Sequence, residues 1–211
     1  MIQIKDLSCK YDQQQVIANL NLDINQDDFL VITGPNGSGK TTLLKAILQQ
    51  IPYEGSILVD DSPIASQLKV HKIGYVAQLN HEPICLPISV REYLLLYLTK
   101  RELNKLAKHL DITHLLSKDV NALSGGQRQM INIVKTLSSG LNYLILDEPN
   151  TGLDFHSRQQ LFLLLSKLHQ SGIGIIMISH YLDEISCKVN KIFNLDTMKL
   201  EVICNEHCQY C

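Results

Sequence analysis

Gly34, Gly37 and Gly39 precede Lys40 and Thr41 with the spacing G-x-x-x-x-G-K-[ST], and those residue types at those intervals can hold phosphate. Glycine lets the backbone curl so that consecutive N–H groups converge in a concave nest, and a helix starting near Lys40 would aim its positive end into the same space. The whole stretch, Gly34, Pro35, Asn36, Gly37, Ser38, Gly39, Lys40, Thr41 and Thr42, is therefore expected to bind a nucleoside triphosphate. Lys40 would reach the β- and γ-phosphates, and the Thr41 hydroxyl would hold Mg²⁺. Further along, Asp147 and Glu148 close the apolar run Leu141–Leu146. Asp147 suits a Mg²⁺ ligand, direct or indirect, opposite Thr41. Glu148, one residue on and pointing differently, is the candidate to polarise an attacking water. Gln78 and His180 also end apolar runs; taken alone, each is more often a solvated or satisfied polar residue than a catalytic one.

These groups need rigid supports. Ile2, Ile4 and Leu7 alternate with polar residues, as do Val16, Leu20, Leu22 and Ile24 before the turn Asn25–Asp28, a pattern of antiparallel β-structure leading into a buried strand over Phe29–Thr33. Leu43, Leu44, Ile47 and Leu48 recur at helical spacing and stop near Pro52. Short strands are expected over 55–59 and 73–77. From Leu79 the pattern changes to leucine-rich helices over 89–100 and 103–110, an insertion broken by Pro83 and Pro87. Another helix follows the turn at 123–127. Leu141–Leu146 and Ile173–Ile178 read as buried parallel strands, joined by a helix that Asp154 caps and Gly172 ends. The expected fold is α/β, of the P-loop NTPase type: a mostly parallel sheet core flanked by helices, with an N-terminal antiparallel β-subdomain and an inserted helical subdomain. We expect a single domain over 1–203, with the core at about 1–78 and 128–203 and the helical subdomain at about 79–127, before a tail at 204–211.

Composition narrows the partners. The formal net charge of the 211 residues is −2, so no basic field attracts nucleic acid, and DNA or RNA binding is not expected. No apolar run approaches the roughly 18–20 residues of a bilayer span, and no leader pattern follows Met1. The expected location is the cytoplasm, with any membrane association made through a partner. Six cysteines in such a chain argue against a disulfide framework; Cys9, Cys85 and Cys187 are read as packing residues.

The order of the phosphate loop, Gln78, Leu-Ser-Gly-Gly-Gln at 123–127, Leu-Ile-Leu-Asp-Glu-Pro at 144–149, Thr-Gly-Leu-Asp at 151–154 and His180 resembles the ATP-binding-cassette ATPases over nearly the whole chain. Leu-Ser-Gly-Gly-Gln is the most specific of these motifs, since phosphate loops and acidic strand ends occur in many other NTPases. The resemblance implies that Tyr11 stacks on adenine and that Gln78 touches Mg²⁺ and the attacking water. His180 would hold the γ-phosphate and water, and Asp154 would lie at a dimer seam. It also implies that Ser124, Gly125, Gly126 and Gln127 act in trans: two copies pack head to tail around two ATP molecules, each phosphate loop facing the other's signature turn. A monomer would bind ATP yet hydrolyse it poorly. Integral-membrane permease subunits would then be partners, holding the chain peripherally on the inner face of the cell membrane.

Pro87-Ile88-Ser89-Val90-Arg91-Glu92 is similar to a segment in the ATPases of zinc and manganese importers. That likeness implies import of a divalent transition metal and an extracytoplasmic metal-binding protein reached through the permease. A haem, siderophore or lipid transporter is the alternative, and a non-transport cassette ATPase a further one. The helical insertion, whose face would meet the membrane partner, is short. Asp27-Asp28 stands where Gly-Glu is common, a change expected to affect a turn alone. The tail carries Cys204, His207, Cys208 and Cys211, enough soft ligands for Zn²⁺ but more tightly spaced than a structural finger. It is either a frayed end with free thiols or a segment that binds or senses the transported metal. Zinc titration of the intact chain and of one ending before Cys204 separates the two, because equal stoichiometry removes the metal reading.

Overall fold

A computed structural model describes residues 1–11, 14–69, 72–78, 87–137, 140–179 and 189–203. The side chains of Tyr11 and residues 67–69 fall outside that description, as do His180, Cys85, Cys187 and the tail from Cys204 onward.

The N-terminal third is built from alternation. Strands β1 (Ile2–Tyr11), β2 (Gln14–Ile24), β4 (Glu54–Val59) and β5 (Ser62–Pro63) form an antiparallel sheet in the order β2-β1-β4-β5. Ile2, Ile4, Leu7, Cys9, Ile17, Leu20, Leu22 and Ile24 are all buried on its inner face, as expected for a half-buried sheet. Cys9 is among them, which bears out its reading as a packing residue.

The second sheet runs β10-β9-β3-β8-β7-β6, from β3 (Phe29–Thr33), β6 (Ile73–Val76), β7 (Tyr143–Asp147), β8 (Gly174–Ile178), β9 (Lys191–Asn194) and β10 (Lys199–Val202). Every pairing is parallel except β10 with β9. Side chains of its central strands are sorted by the two-residue period. Phe29, Val31, Leu144, Leu146, Ile175 and Met177 face a core shared with the helices of the insertion. Leu30, Ile32, Tyr143, Ile145, Ile176 and Ile178 face the N-terminal sheet and α1 (Lys40–Ile47). Apolar residues on both faces make these strands continuous hydrophobic runs in the sequence.

Beyond the short helix α2 (Ile64–Lys69), the insertion contributes α3 (Val90–Leu95) and α4 (Lys100–His109), with 3-10 turns at 113–115 and 120–122. Helix α5 (Gly125–Thr136) follows, and α6 (Phe155–Gln170) joins β7 to β8. Three starts are written locally as capping boxes: Ser89 with Glu92, Thr99 with Glu102, and Ser124 with Gln127. In each, the hydroxyl accepts the third N–H of the helix and the longer side chain returns to the cap's own N–H.

Asp28 does more than shape a turn. It is 3% exposed; one carboxylate oxygen accepts the Asn25 N–H at 2.6 Å and the Lys191 ammonium at 2.7 Å. The ion pair ties β9 to the start of β3, and so helps position the strand from which the phosphate loop springs. Asp28→Ala strands a largely buried ammonium, and is expected to cost about 3 kcal/mol. The measurement is a urea unfolding midpoint that falls while the slope stays constant.

Candidate nucleotide site

The phosphate loop lies between β3 and α1 at the carboxyl end of the parallel strands, where such sheets collect ligands. Gly37 and Gly39 have φ of 84° and 96°, a region glycine enters without strain. Gly39 is required twice, because a Cβ there would meet a Val16 methyl at 2.8 Å. Lys40 is 6% exposed, and its ammonium donates to the carbonyls of Gly34 at 2.8 Å and Pro35 at 2.9 Å. It is thus folded over the loop's own backbone, arching the loop around an open centre.

Strand register brings the other polar groups to this place. Val76 pairs with Leu146 and Asp147 with Ile178, so Gln78 and Glu148, each two residues beyond the first pair, lie level. The Gln78 amide donates to the Glu148 carboxylate at 3.4 Å, and the Thr151 hydroxyl donates to the same oxygen at 3.1 Å. Glu148 has φ of 45°; this left-handed turn swings its side chain away from the strand direction. A cavity of about 460 Å³ is lined by Asn36, Gly37, Gly39, Lys40, Thr41, Thr42 and Glu148, with Gln14 and Val16 forming a further wall. Asp147 is half-buried. Burial raises its carboxyl above the usual range and the Glu148 charge adds to this, while Lys45 and Lys40 oppose it. Such a carboxylate gains from a cation beside it.

Behind the site, Asn150 and Ser179 form a buried pair, with Asn150 Nδ2 donating to the Ser179 hydroxyl at 3.1 Å. They couple the loop after β7 to the end of β8. Asn150 belongs to no motif in the sequence, nor do Gln14 and Val16 as cavity walls; for the Asn150–Ser179 pair, two adjoining loop ends after buried strands are the available sign. Among the described residues no group of three or more His, Cys, Asp or Glu side chains could hold a metal ion.

Ser124, Gly125, Gly126 and Gln127 are not among the described residues lining this cavity. Ser124 and Gly125 are exposed at the head of α5. The Gln127 amide is turned back, its oxygen accepting the Ser124 N–H at 3.4 Å, while the Ser124 hydroxyl accepts the Gln127 N–H at 3.3 Å. Asp154 caps α6 through the Ser157 N–H at 2.9 Å and hydroxyl at 2.8 Å, and those two bonds, in that order, hold its carboxyl below the usual range. Tyr11 ends β1; its side chain and His180 lie outside the described residues.

The chain is similar to known proteins in both sequence and fold. Residues 17–151 match the family model described as ABC transporter. The chain is 32% identical to zinc import ATP-binding protein ZnuC 1 of Aliivibrio fischeri, covering 98% of this chain and 75% of that protein. It is 30% identical to zinc import ATP-binding protein ZnuC of Pasteurella multocida, over 91% of this chain and 72% of that one. Among solved structures, cbiO1 from Clostridium perfringens, part of the ABC transporter complex cbiONQ, superposes with a TM-score of 0.81 at 24% identity, covering 95% of this chain and 86% of that one. An ATP-binding cassette of an ABC transporter in its ADP conformation superposes with a TM-score of 0.82 at 20% identity, over 95% and 89%. Phosphate loop, acidic strand end and detached signature turn thus occur together on a matching fold, and the chain belongs to the ABC transporter family as one of its ATP-binding, ATP-hydrolysing subunits.

Proposed function

We propose that this subunit powers the import of a divalent transition metal, zinc foremost. The observation that carries the reading is the likeness to zinc import ATP-binding proteins along almost the whole chain. Two copies pack head to tail with two ATP molecules between them. In each site Lys40 and the loop N–H groups hold the phosphates, and Glu148 takes the proton of the attacking water while Gln78 orients that water. The partner chain's exposed turn, starting at Ser124, completes the γ-phosphate contacts through N–H groups at a helix start. Detachment of that turn from its own chain's cavity supports the trans arrangement.

Thr41, Gln78 and Asp147 fit Mg²⁺ as hard oxygen donors, and the Asp147 carboxyl, raised chiefly by burial, is one whose ionised form a cation would favour. Bound there, Mg²⁺ would supply charge neutralisation at the β- and γ-phosphates. Occupancy by a cation favours the ionised carboxyl, so Mg²⁺-dependent ATP binding is expected to release protons and to weaken as pH falls through the raised pKa. Asp147→Asn should abolish that acid limb together with the Mg²⁺ dependence. Calorimetry in buffers of different ionisation enthalpy reads both.

Leu96 and Tyr97, 69% and 55% exposed at the end of α3, give the insertion an apolar surface suited to a membrane-embedded permease. No helix among the described residues is long and apolar enough to cross a membrane. The chain is then peripheral on the inner membrane face, and an extracytoplasmic metal-binding protein delivers metal to the permease. Co-purification with a multi-span subunit, followed by zinc uptake into proteoliposomes, tests the assignment. ATP-dependent zinc accumulation that Glu148→Gln stops is the expected result. Uptake of haem or lipid in its place, or co-purification with ribosomes or nucleic acid, overturns it.

A further inference from the structure

Gly126 lies in the first turn of α5, in a backbone conformation that any residue can adopt. What it lacks is room. A Cβ at 126 would sit 2.5 Å from both Cβ and Oγ of Ser157 and 3.3 Å from its Cα, whereas one at Gly125 would meet only a Leu153 methyl at 3.7 Å. Helices α5 and α6 therefore touch almost backbone to backbone at one point, Gly126 against Ser157. Ser157 is 8% exposed and cannot turn aside, because both its N–H and its hydroxyl are bonded to the Asp154 carboxylate. Asp154 in turn ends the loop that leaves Glu148. That loop is braced by Thr151 N–H to Glu148 C=O at 3.2 Å, by Thr151 hydroxyl to the Glu148 carboxylate, by the buried Asn150–Ser179 pair, and by Arg158 Nη1 to Leu153 C=O at 2.7 Å.

We propose that Ser157 is a positioning residue for the signature turn: the Gly126–Ser157 contact sets the height of the first turn of α5, so the loop leaving one site's Glu148 fixes the donors the same chain offers to its partner's nucleotide. The inference rests on the head-to-tail reading above. It makes the glycine at 126 a requirement of helix packing, separate from any closeness to phosphate. Because misplacement of about 1 Å costs on the order of 10²-fold in rate, the contact is reported in kcat while the same chain's own phosphate loop keeps its affinity.

Gly126→Ala is expected to lower kcat about 10²-fold with ATP affinity of the isolated chain unchanged. Adding Ser157→Gly, which reopens the space and retains the Ser157 N–H cap bond, should return kcat to within about tenfold of wild type, the non-additivity that marks a direct contact. Failure of that rescue, or an unaffected Gly126→Ala, overturns the proposal. Mixed dimers give a second line that does not depend on Gly126. Ser157→Val and Glu148→Gln on opposite chains should leave one site hydrolysing in a single turnover, whereas both on one chain should leave neither. Ser124→Arg, paired with Glu148→Gln in the same two ways, is the control. If Ser124→Arg shows the difference and Ser157→Val does not, only the positioning role falls; if neither does, the head-to-tail reading falls with it.

Discussion

Replacing Glu148 with Gln is expected to leave ATP binding intact, to lower turnover at least about 10²-fold, and to accumulate an ATP-bound dimer. The substitution is isosteric, and the amide oxygen can still accept from the Gln78 amide and the Thr151 hydroxyl, whose bonds now converge on one carboxylate oxygen. What the amide lacks is basicity, since it takes no proton from water. Phosphate contacts from the loop at 34–42 and from the partner's turn are untouched, so the dimer closes around ATP and has no step by which to open. Size-exclusion chromatography with ATP should show the dimer, and a phosphate-release assay should show the lost rate. Normal hydrolysis by the variant would remove Glu148 from its proposed role. The left-handed backbone at this residue remains available to glutamine, so the variant should fold as the parent does.

The parts of this site written over short spans were legible in the sequence. The glycine spacing at 34–39, the carboxylates after Leu146 and the cap at Asp154 each depend on neighbours a few residues away, and chain direction alone assigns the first two to strand ends and the third to a helix start. The mostly parallel sheet also followed, because Phe29–Ile32, Leu144–Leu146 and Ile175–Ile178 are apolar on both faces. Long-range consequences were not legible. Asp28 reads as a turn residue until Lys191, on a strand far along the chain, is placed beside it. β9 and β10 themselves gave little signal: each has only four residues, and although Leu200 and Val202 alternate with Lys199 and Glu201, β10 is exposed throughout, so the alternation marks no buried face. The hairpin is anchored instead by Val189, Phe193 and Leu195, which are buried but do not form a periodic run. Gly126 was legible as part of a motif; its packing against Ser157 required the fold.

Lys40→Ala should separate nucleotide binding from folding more cleanly than any other change in this chain. The ammonium is nearly buried and donates to the Gly34 and Pro35 carbonyls, both neutral acceptors. Arrival of a polyphosphate adds an anion to a cation already held in place, a charge-assisted contact of about 1.5–3 kcal/mol, with further gain because the site is partly shielded from water. Removing it should weaken ATP binding at least about 10²-fold, which is the affinity equivalent of some 3 kcal/mol. The same removal should disturb folding little. Pro35 is exposed, so its carbonyl can turn to water, and the desolvation cost of a buried ammonium disappears with the side chain. Thermal unfolding without nucleotide should therefore stay close to wild type. With ATP at a hundred times the wild-type Kd, the parent gains about 2.7 kcal/mol through linkage and the variant less than about 0.5 kcal/mol. A variant that kept the full ATP-induced stabilisation would show that the backbone nest alone holds the phosphates and that the lysine serves only to shape the loop.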